Sequence, residues 1–211
     1  IMAVVKADGY GPGAVTVAKA AVAGGAGWLG PASVAEASAL RAARLTVPIL
    51  TWLHPSGIDA EAAAATRVDV AVGSMDELGT LLAQAASTMR VHLHVDTGMS
   101  RGGIRWSDAA EVAETARVLA AASGWEGVFT HFHSADSDPA SVACQWERFR
   151  AVLELLPRRP PLIHAANSAG MAFLRRTHTA VRPGLLLYGV APRPLSPAIA
   201  VKPAMELRAR V

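Results

Sequence analysis

The chain has 211 residues, 52% hydrophobic but only 5% aromatic, so it can bury one sizeable core and must build it from Ala, Val and Leu. A net charge of +3 with scattered arginines draws no nucleic-acid or membrane patch, and the longest uncharged stretch, 20–35, is interrupted by Gly24, Gly25, Gly27 and Pro31 and is too short for a membrane span. The single cysteine, Cys144, cannot close an internal disulfide and is expected as a buried thiol in a reducing cytoplasm. In chain order, strands are predicted over 1–6, 28–30, 49–53, 68–72, 91–95, 127–131, 162–164 and 179–182. Helices are predicted between and after them, over 14–23, 33–44, 58–66, 74–87, 107–122, 139–156 and 168–174, several opening on a Ser or Asp suited to an N-cap.

Strands and helices in alternation, joined by short connections, predict a parallel sheet of the α/β class. Eight such units fit a closed (β/α)8 TIM-type barrel better than an open Rossmann-like sheet. The barrel is expected over 1–190. Beyond it the proline-rich GVAPRPLSPAIAVKP reads as a linker, and AMELRARV alternates like a half-exposed strand. Residues 191–211 are therefore expected to carry the linker and first strand of a C-terminal β domain. An abrupt apolar start without a basic leader, and an end without a turn or cap, lead us to expect a piece of a longer chain.

In such a barrel the chemistry gathers where strands end, which selects Lys6, the segment 96–101, His131, Asn167 with Ser168, and Arg182. Each has an ordinary reading: a solvated lysine, a satisfied core histidine, an ion-paired arginine, and for NSAG a helix cap. Their joint placement at one mouth argues for a site. A lysine closing a run buried on both faces loses part of its proton affinity to desolvation, which frees the amine to condense with an aldehyde. The aldehyde cofactor held in this way is pyridoxal 5'-phosphate. Its phosphate needs hydroxyl and backbone N–H donors, for which Ser168 and the amides of Gly184 and Leu185 are candidates. A rival reading takes His92, His94, His131 and His133, two H-x-H pairs on neighbouring strands, as zinc ligands of a metal-dependent barrel hydrolase. It places no carboxylate ligand and leaves KADGYG and VRPG unused, so no metal is expected.

The blocks AVVKADGYG, HVDTGMSRGG, THFHSAD, HAANSAG and VRPGLLLYGVAP, in that order over nearly the whole chain, resemble alanine racemase. That family consists of pyridoxal-phosphate enzymes with a β/α barrel and a C-terminal β domain. The resemblance implies that Lys6 is the Schiff-base lysine and one of two catalytic bases, and that Tyr10 reaches the phosphate. It places Arg101 near the ring's phenolic oxygen and the substrate carboxylate, with the Met99 backbone beside it. His131 would stack or bond around the ring and support Arg182; Asn167 would orient that shell; Ser168, Gly184 and Leu185 would hold the phosphate. Arg182 would face the pyridine nitrogen and, being always charged, leave it largely unprotonated.

The second base would be a tyrosine of a partner subunit's β domain; Tyr10 and Tyr188 stand in no matching context, so this chain alone is not expected to racemise efficiently. The resemblance further implies an amino-acid substrate, a cytoplasmic homodimer and a role in supplying D-alanine for peptidoglycan. A non-catalytic single-barrel pyridoxal-phosphate carrier is the alternative within the same chemistry. His94 stands where many relatives carry a lysine modified by carbon dioxide, and Pro12 replaces a frequent histidine.

Overall fold

The computed structural model describes residues 1–84, 89–122, 124–173, 178–192, 200–206 and 208. Among these residues eight strands form: β1 (Met2–Val4), β2 (Trp28–Gly30), β3 (Leu50–Thr51), β4 (Asp69–Val72), β5 (Val91–Asp96), β6 (Ile104–Arg105), β7 (Trp125–Phe129) and β8 (Leu162–His164). Around them lie α1 (Lys6–Tyr10), α2 (Ala14–Ala23), α3 (Val34–Ala42), α4 (Ala60–Thr66), α5 (Met75–Gln84), α6 (Ala109–Ala121) and α7 (Pro139–Leu155), with 3-10 turns at Gly170–Phe173 and Leu185–Tyr188. The helix starts follow side-chain chemistry. Ser33, Asp59, Asp108 and Asp138 each accept the backbone N–H three residues on, satisfying a donor that the first turn leaves open.

All pairings are parallel. β1 pairs with β2, and β3, β4, β5, β7 and β8 follow one another in a second sheet. A bridge between Leu29 and Ile49 joins the two. The ring closes through residues 179–183: Thr179 N–H and Arg182 N–H donate to the carbonyls of Ile163 and Ala166, while Met2 N–H and Val4 N–H donate to those of Val181 and Pro183. The barrel is thus the expected one, with two corrections among its strands. The predicted eighth strand is an extended seam without a regular ladder, because Pro183 has no N–H and the Thr179 hydroxyl, not its backbone, takes the Ile163 N–H at 2.8 Å. β6, a two-residue addition beside β5, was not expected.

The helix expected over 168–174 is a 3-10 turn, Gly170–Phe173, tightened by Asn167 Oδ1 accepting the Gly170 N–H at 2.8 Å; residue 174 lies outside the described residues. So do 85–87 of the fourth predicted helix, residues 193–199 of the linker, and residues 207 and 209–211 of the predicted last strand. Cys144 is exposed rather than buried: the inward face of α7 carries Val142, Gln145, Trp146 and Phe149, and position 144 falls on the other side. Among the described residues no helix is long and apolar enough to cross a membrane.

Strand alternation divides two interiors. Val70, Val72, Val91, Leu93, Val95 and Val128 face the helices and form one apolar core with them. Their neighbours face inward. There Met2, Leu50, Ala71 and Phe129 cluster, and Asp69, His92, His94, His164 and Arg182 are buried as well. A polar barrel interior is the unusual feature of this fold.

Candidate active site

The chain leaves β1 through a single turn that winds the wrong way. Ala7, Asp8, Gly9 and Tyr10 all have φ between 52° and 64°, left-handed values costly for residues with a Cβ. The turn is held from outside: Ala7 N–H donates to Glu36 Oε1 at 2.9 Å, and Asp8 Oδ1 accepts from Ala14 N–H at 2.8 Å. Gly9 is required twice over, by its φ of 64° and because a Cβ there would sit 3.1 Å from Ala14 Cα and Val17 Cγ2. The result brings Lys6 and Tyr10, both half-buried, to the same rim.

They line a cavity of about 250 Å³ together with Arg101, His131, Asn167, Ser168, Arg182, Gly184 and Leu185. Nine of the ten residues singled out in the sequence therefore meet in one place. Met99 lies beside it, in a small crevice shared with Arg101 and His131. Arg101 is exposed on a loop whose turn is set by Asp96 Oδ1, which accepts the N–H groups of Gly98 and Ser100 at 2.9 and 3.1 Å.

Arg182 is 3% exposed. Its Nη1 donates to His164 Nδ1 at 2.6 Å and to the His164 carbonyl at 3.0 Å. Its Nη2 donates to the carbonyls of Thr130 and Ala165 at 2.7 and 3.2 Å, with His131 Nδ1 at 3.4 Å. Four Nη protons are thereby used, and Nε–H makes no hydrogen bond among the described residues. No carboxylate pairs with it there either, and burial with the nearby Arg101 lowers its pKa to about 9. Burial, followed by the positive field of Arg182, lowers His94 to about 3 and takes His131 and His164 well below the usual imidazole value. The imidazoles are neutral at pH 7, and the positive charge rests on Lys6, Arg101 and Arg182.

Both ring nitrogens of His131 face donors, since Asn167 Nδ2 approaches Nε2 at 3.2 Å. The Asn167 amide cannot turn over, because its Oδ1 accepts from Gly170 and its Nδ2 also donates to the Phe132 carbonyl at 2.9 Å. Ser168 Oγ accepts from Gly184 N–H at 2.9 Å and from Leu186 N–H at 3.3 Å, so the Gly184 amide is already engaged. The Leu185 N–H, first in its 3-10 turn, has no acceptor within that turn. A Cβ on Gly184 would run into Tyr10 Oη, so this glycine lets the tyrosine lie against the loop.

The comparisons with known proteins follow the same outline. The model of the alanine racemase N-terminal domain matches residues 1–192. The chain belongs to the alanine racemase family. It is 43% identical to the alanine racemase of Thermobifida fusca and 40% identical to that of Frankia casuarinae, with 99% and 98% of this chain aligned. It spans 59% and 57% of those relatives' lengths. Among solved structures, alanine racemase from E. faecalis superposes with a TM-score of 0.87 at 36% identity, over 96% of this chain and 57% of that one. Alanine racemase from Bacillus anthracis, solved with bound L-Ala-P, gives 0.82 at 35% identity, over 96% of this chain and 55% of that one.

The five alanine racemase blocks thus converge on one mouth, while the four histidines of the rival reading do not converge. His92 contacts Asp69 and His164, His94 stacks on Phe129 at 4.4 Å, and His133 turns to Ser134 and Ser141. Among the described residues no three His, Cys, Asp or Glu side chains gather as metal ligands. Sequence reasoning passed over His164, which touches Arg182 directly, and Asp69, which reaches it through His92 and His164. His164 opens the HAANSAG block, a signal that was present; Asp69 at the foot of β4 carries none.

Proposed function

We propose that this chain is the cofactor-binding barrel of a pyridoxal-phosphate-dependent alanine racemase, which interconverts L- and D-alanine in the cytoplasm as a homodimer and supplies D-alanine for peptidoglycan. The observation that carries the reading is the donor set of the cavity. Lys6, Tyr10, Ser168, Leu185 and Arg182 line the space and supply an amine, two hydroxyls, a backbone amide and the Nε–H of a guanidinium, and Lys6, Arg101 and Arg182 bring positive charge to it. Pyridoxal phosphate suits that set, with phosphate oxygens for Ser168, Leu185 and Tyr10, a ring nitrogen for Arg182 Nε–H and an aldehyde for Lys6. When bound, it supplies a conjugated ring that accepts the electron pair left behind when the α-proton departs.

The chain's own residues do the rest. Arg182 donates to the ring nitrogen without giving up a proton, which limits how strongly electrons are drawn away and favours simple return of the proton over side reactions. Arg101 offers an exposed guanidinium to the substrate carboxylate. Lys6 Nζ takes or returns the α-proton on the face that serves D-alanine. A tyrosine of the partner's β domain, in the part of the family's length beyond these residues, serves the other face. By the same reading residues 191–211 lead into that domain. That a relative was solved with L-Ala-P bound is in keeping with an alanine-sized substrate.

The test is borohydride reduction of the full-length protein after soaking in pyridoxal phosphate, followed by peptide mapping. Lys6 should carry the label, and a label absent from position 6 would defeat the reading. Exchange of the α-hydrogen of alanine in deuterated water then separates racemase from carrier: the carrier would bind the cofactor and leave alanine unexchanged.

A further inference from the structure

Beneath the cavity a line of polar groups crosses the barrel interior to its opposite end. Arg182 Nη1 meets His164 Nδ1 at 2.6 Å, His164 Nε2 meets His92 Nδ1 at 3.3 Å, and His92 Nε2 meets Asp69 Oδ2 at 3.3 Å. The same oxygen accepts Arg90 Nε at 3.0 Å. Asp69, His92, His164 and Arg182 are each no more than 3% exposed. The room is built in: a Cβ on Gly127 would run into the His92 ring. A guanidinium can only donate and a carboxylate can only accept, so the two ends dictate every proton between them. His164 must accept at Nδ1 and donate from Nε2; His92 must do the same.

We propose that Asp69, His92 and His164 are positioning residues for Arg182: a one-way hydrogen-bond chain, anchored at the far end of the barrel, holds the guanidinium in place and leaves Nε–H as its free donor. Reversing any link would set two N–H groups, or an N–H and the guanidinium, against each other in a buried space, where an unmade hydrogen bond is costly. Asp69 therefore reaches Arg182 only through the two imidazoles and not by contact. Burial and the neighbouring cation, which keep His164 neutral, act in the same direction. What this means for a bound cofactor rests on the reading above; the chain of bonds does not.

Nitrogen NMR of the full-length protein labelled at histidine, without added cofactor, tests it. In the wild type His92 and His164 should both be neutral Nε2–H tautomers between pH 6 and 8, and an Nδ1–H form at either would overturn the proposal even if no variant folds. Asp69→Leu should release His92 into mixed tautomers and change His164 with it, although residue 69 does not touch His164. Asp69→Asn, whose carbonyl oxygen can accept in the same place, should keep both. A folded Asp69→Leu protein with His164 unaltered would sink the idea. In the cofactor-loaded protein, Asp69→Leu should weaken retention of pyridoxal phosphate roughly tenfold, the effect of about one charged hydrogen bond, with Asp69→Asn near wild type. Normal tautomers in a protein that binds no pyridoxal phosphate would refute the cofactor reading and leave this one standing.

Discussion

The two ends of the barrel interior handle positive charge in opposite ways. At the base the side chain of Arg90 is 42% exposed, meets Asp69 at 3.0 Å and Glu126 at 3.3 Å, and lies over the Trp28 ring at 5.0 Å. At the mouth Lys6, Arg101 and Arg182 make no ion pair among the described residues, and Arg182 is buried all the same. Burying an unpaired cation is unfavourable, so a chain that does it in one place and avoids it in another has left the first place incomplete. The base is satisfied by this chain's own carboxylates. The mouth is complementary to an anion that has to come from elsewhere.

Substitutions at the two ends can break that contrast or sharpen it. The largest effect is expected from Lys6→Ala in the full-length protein, which should lower the rate of L-alanine racemisation by at least about 10²–10⁴-fold, the usual worth of a positioned acid–base group. Arg182→Lys keeps the charge and loses the planar fork. Cofactor retention, followed by visible absorbance on dilution, should fall by roughly 10–100-fold, because a single ammonium cannot serve Thr130, His164 and Ala165 and also leave a donor for the ring. Gly9→Ala forces a Cβ into the left-handed turn and should lower stability by about 1–3 kcal/mol in urea unfolding.

Acid should loosen the mouth through its imidazoles. His94, His131 and His164 have lowered pKa values in the folded state, so their neutral burial is free of penalty above pH 6.5, where unfolded histidine is also neutral. As pH falls from there toward about 3, the unfolded chain takes up protons that the folded one refuses, and stability is lost. Urea midpoints at pH 7, 5 and 4 should decline in that order, and replacement of His94 by Phe should flatten the decline. The smallest effect belongs to the base: Arg90→Ala should cost about 1 kcal/mol or less, as half-exposed ion pairs do, and leave cofactor retention unchanged. If Arg90→Ala loosened the cofactor more than Arg182→Lys, the contrast between the two ends would be reversed.

Much of this could be read before folding was considered. Local periodicity marks the strands and most of the helices, because a period of two or of 3.6 and a capping Ser or Asp express contacts within a few residues of each other. The glycines of KADGYGPG announce a sharp departure from β1, though not that four residues in a row would turn left-handed. Tethers from Glu36 and Ala14 hold that conformation, and they come from other elements. Cys144 was misjudged because composition says that free cysteines tend to be buried, and only the inward phase of α7 shows which side position 144 takes.

Residue order alone thus specifies the succession of strand and helix, the chemistry-bearing strand ends and the family blocks, since each is written in a short contiguous stretch. Three things come into being only when distant segments meet: the closing seam at 179–183, the Ser168 hydroxyl drawing in the Gly184 and Leu186 amides, and the line from Asp69 through His92 and His164 to Arg182. Their members are up to 52 or more positions apart in some links, as in the 72 between His92 and His164, and no local pattern couples them. Closure of the ring supplies the missing information, because it determines which inward-facing side chains share the one interior.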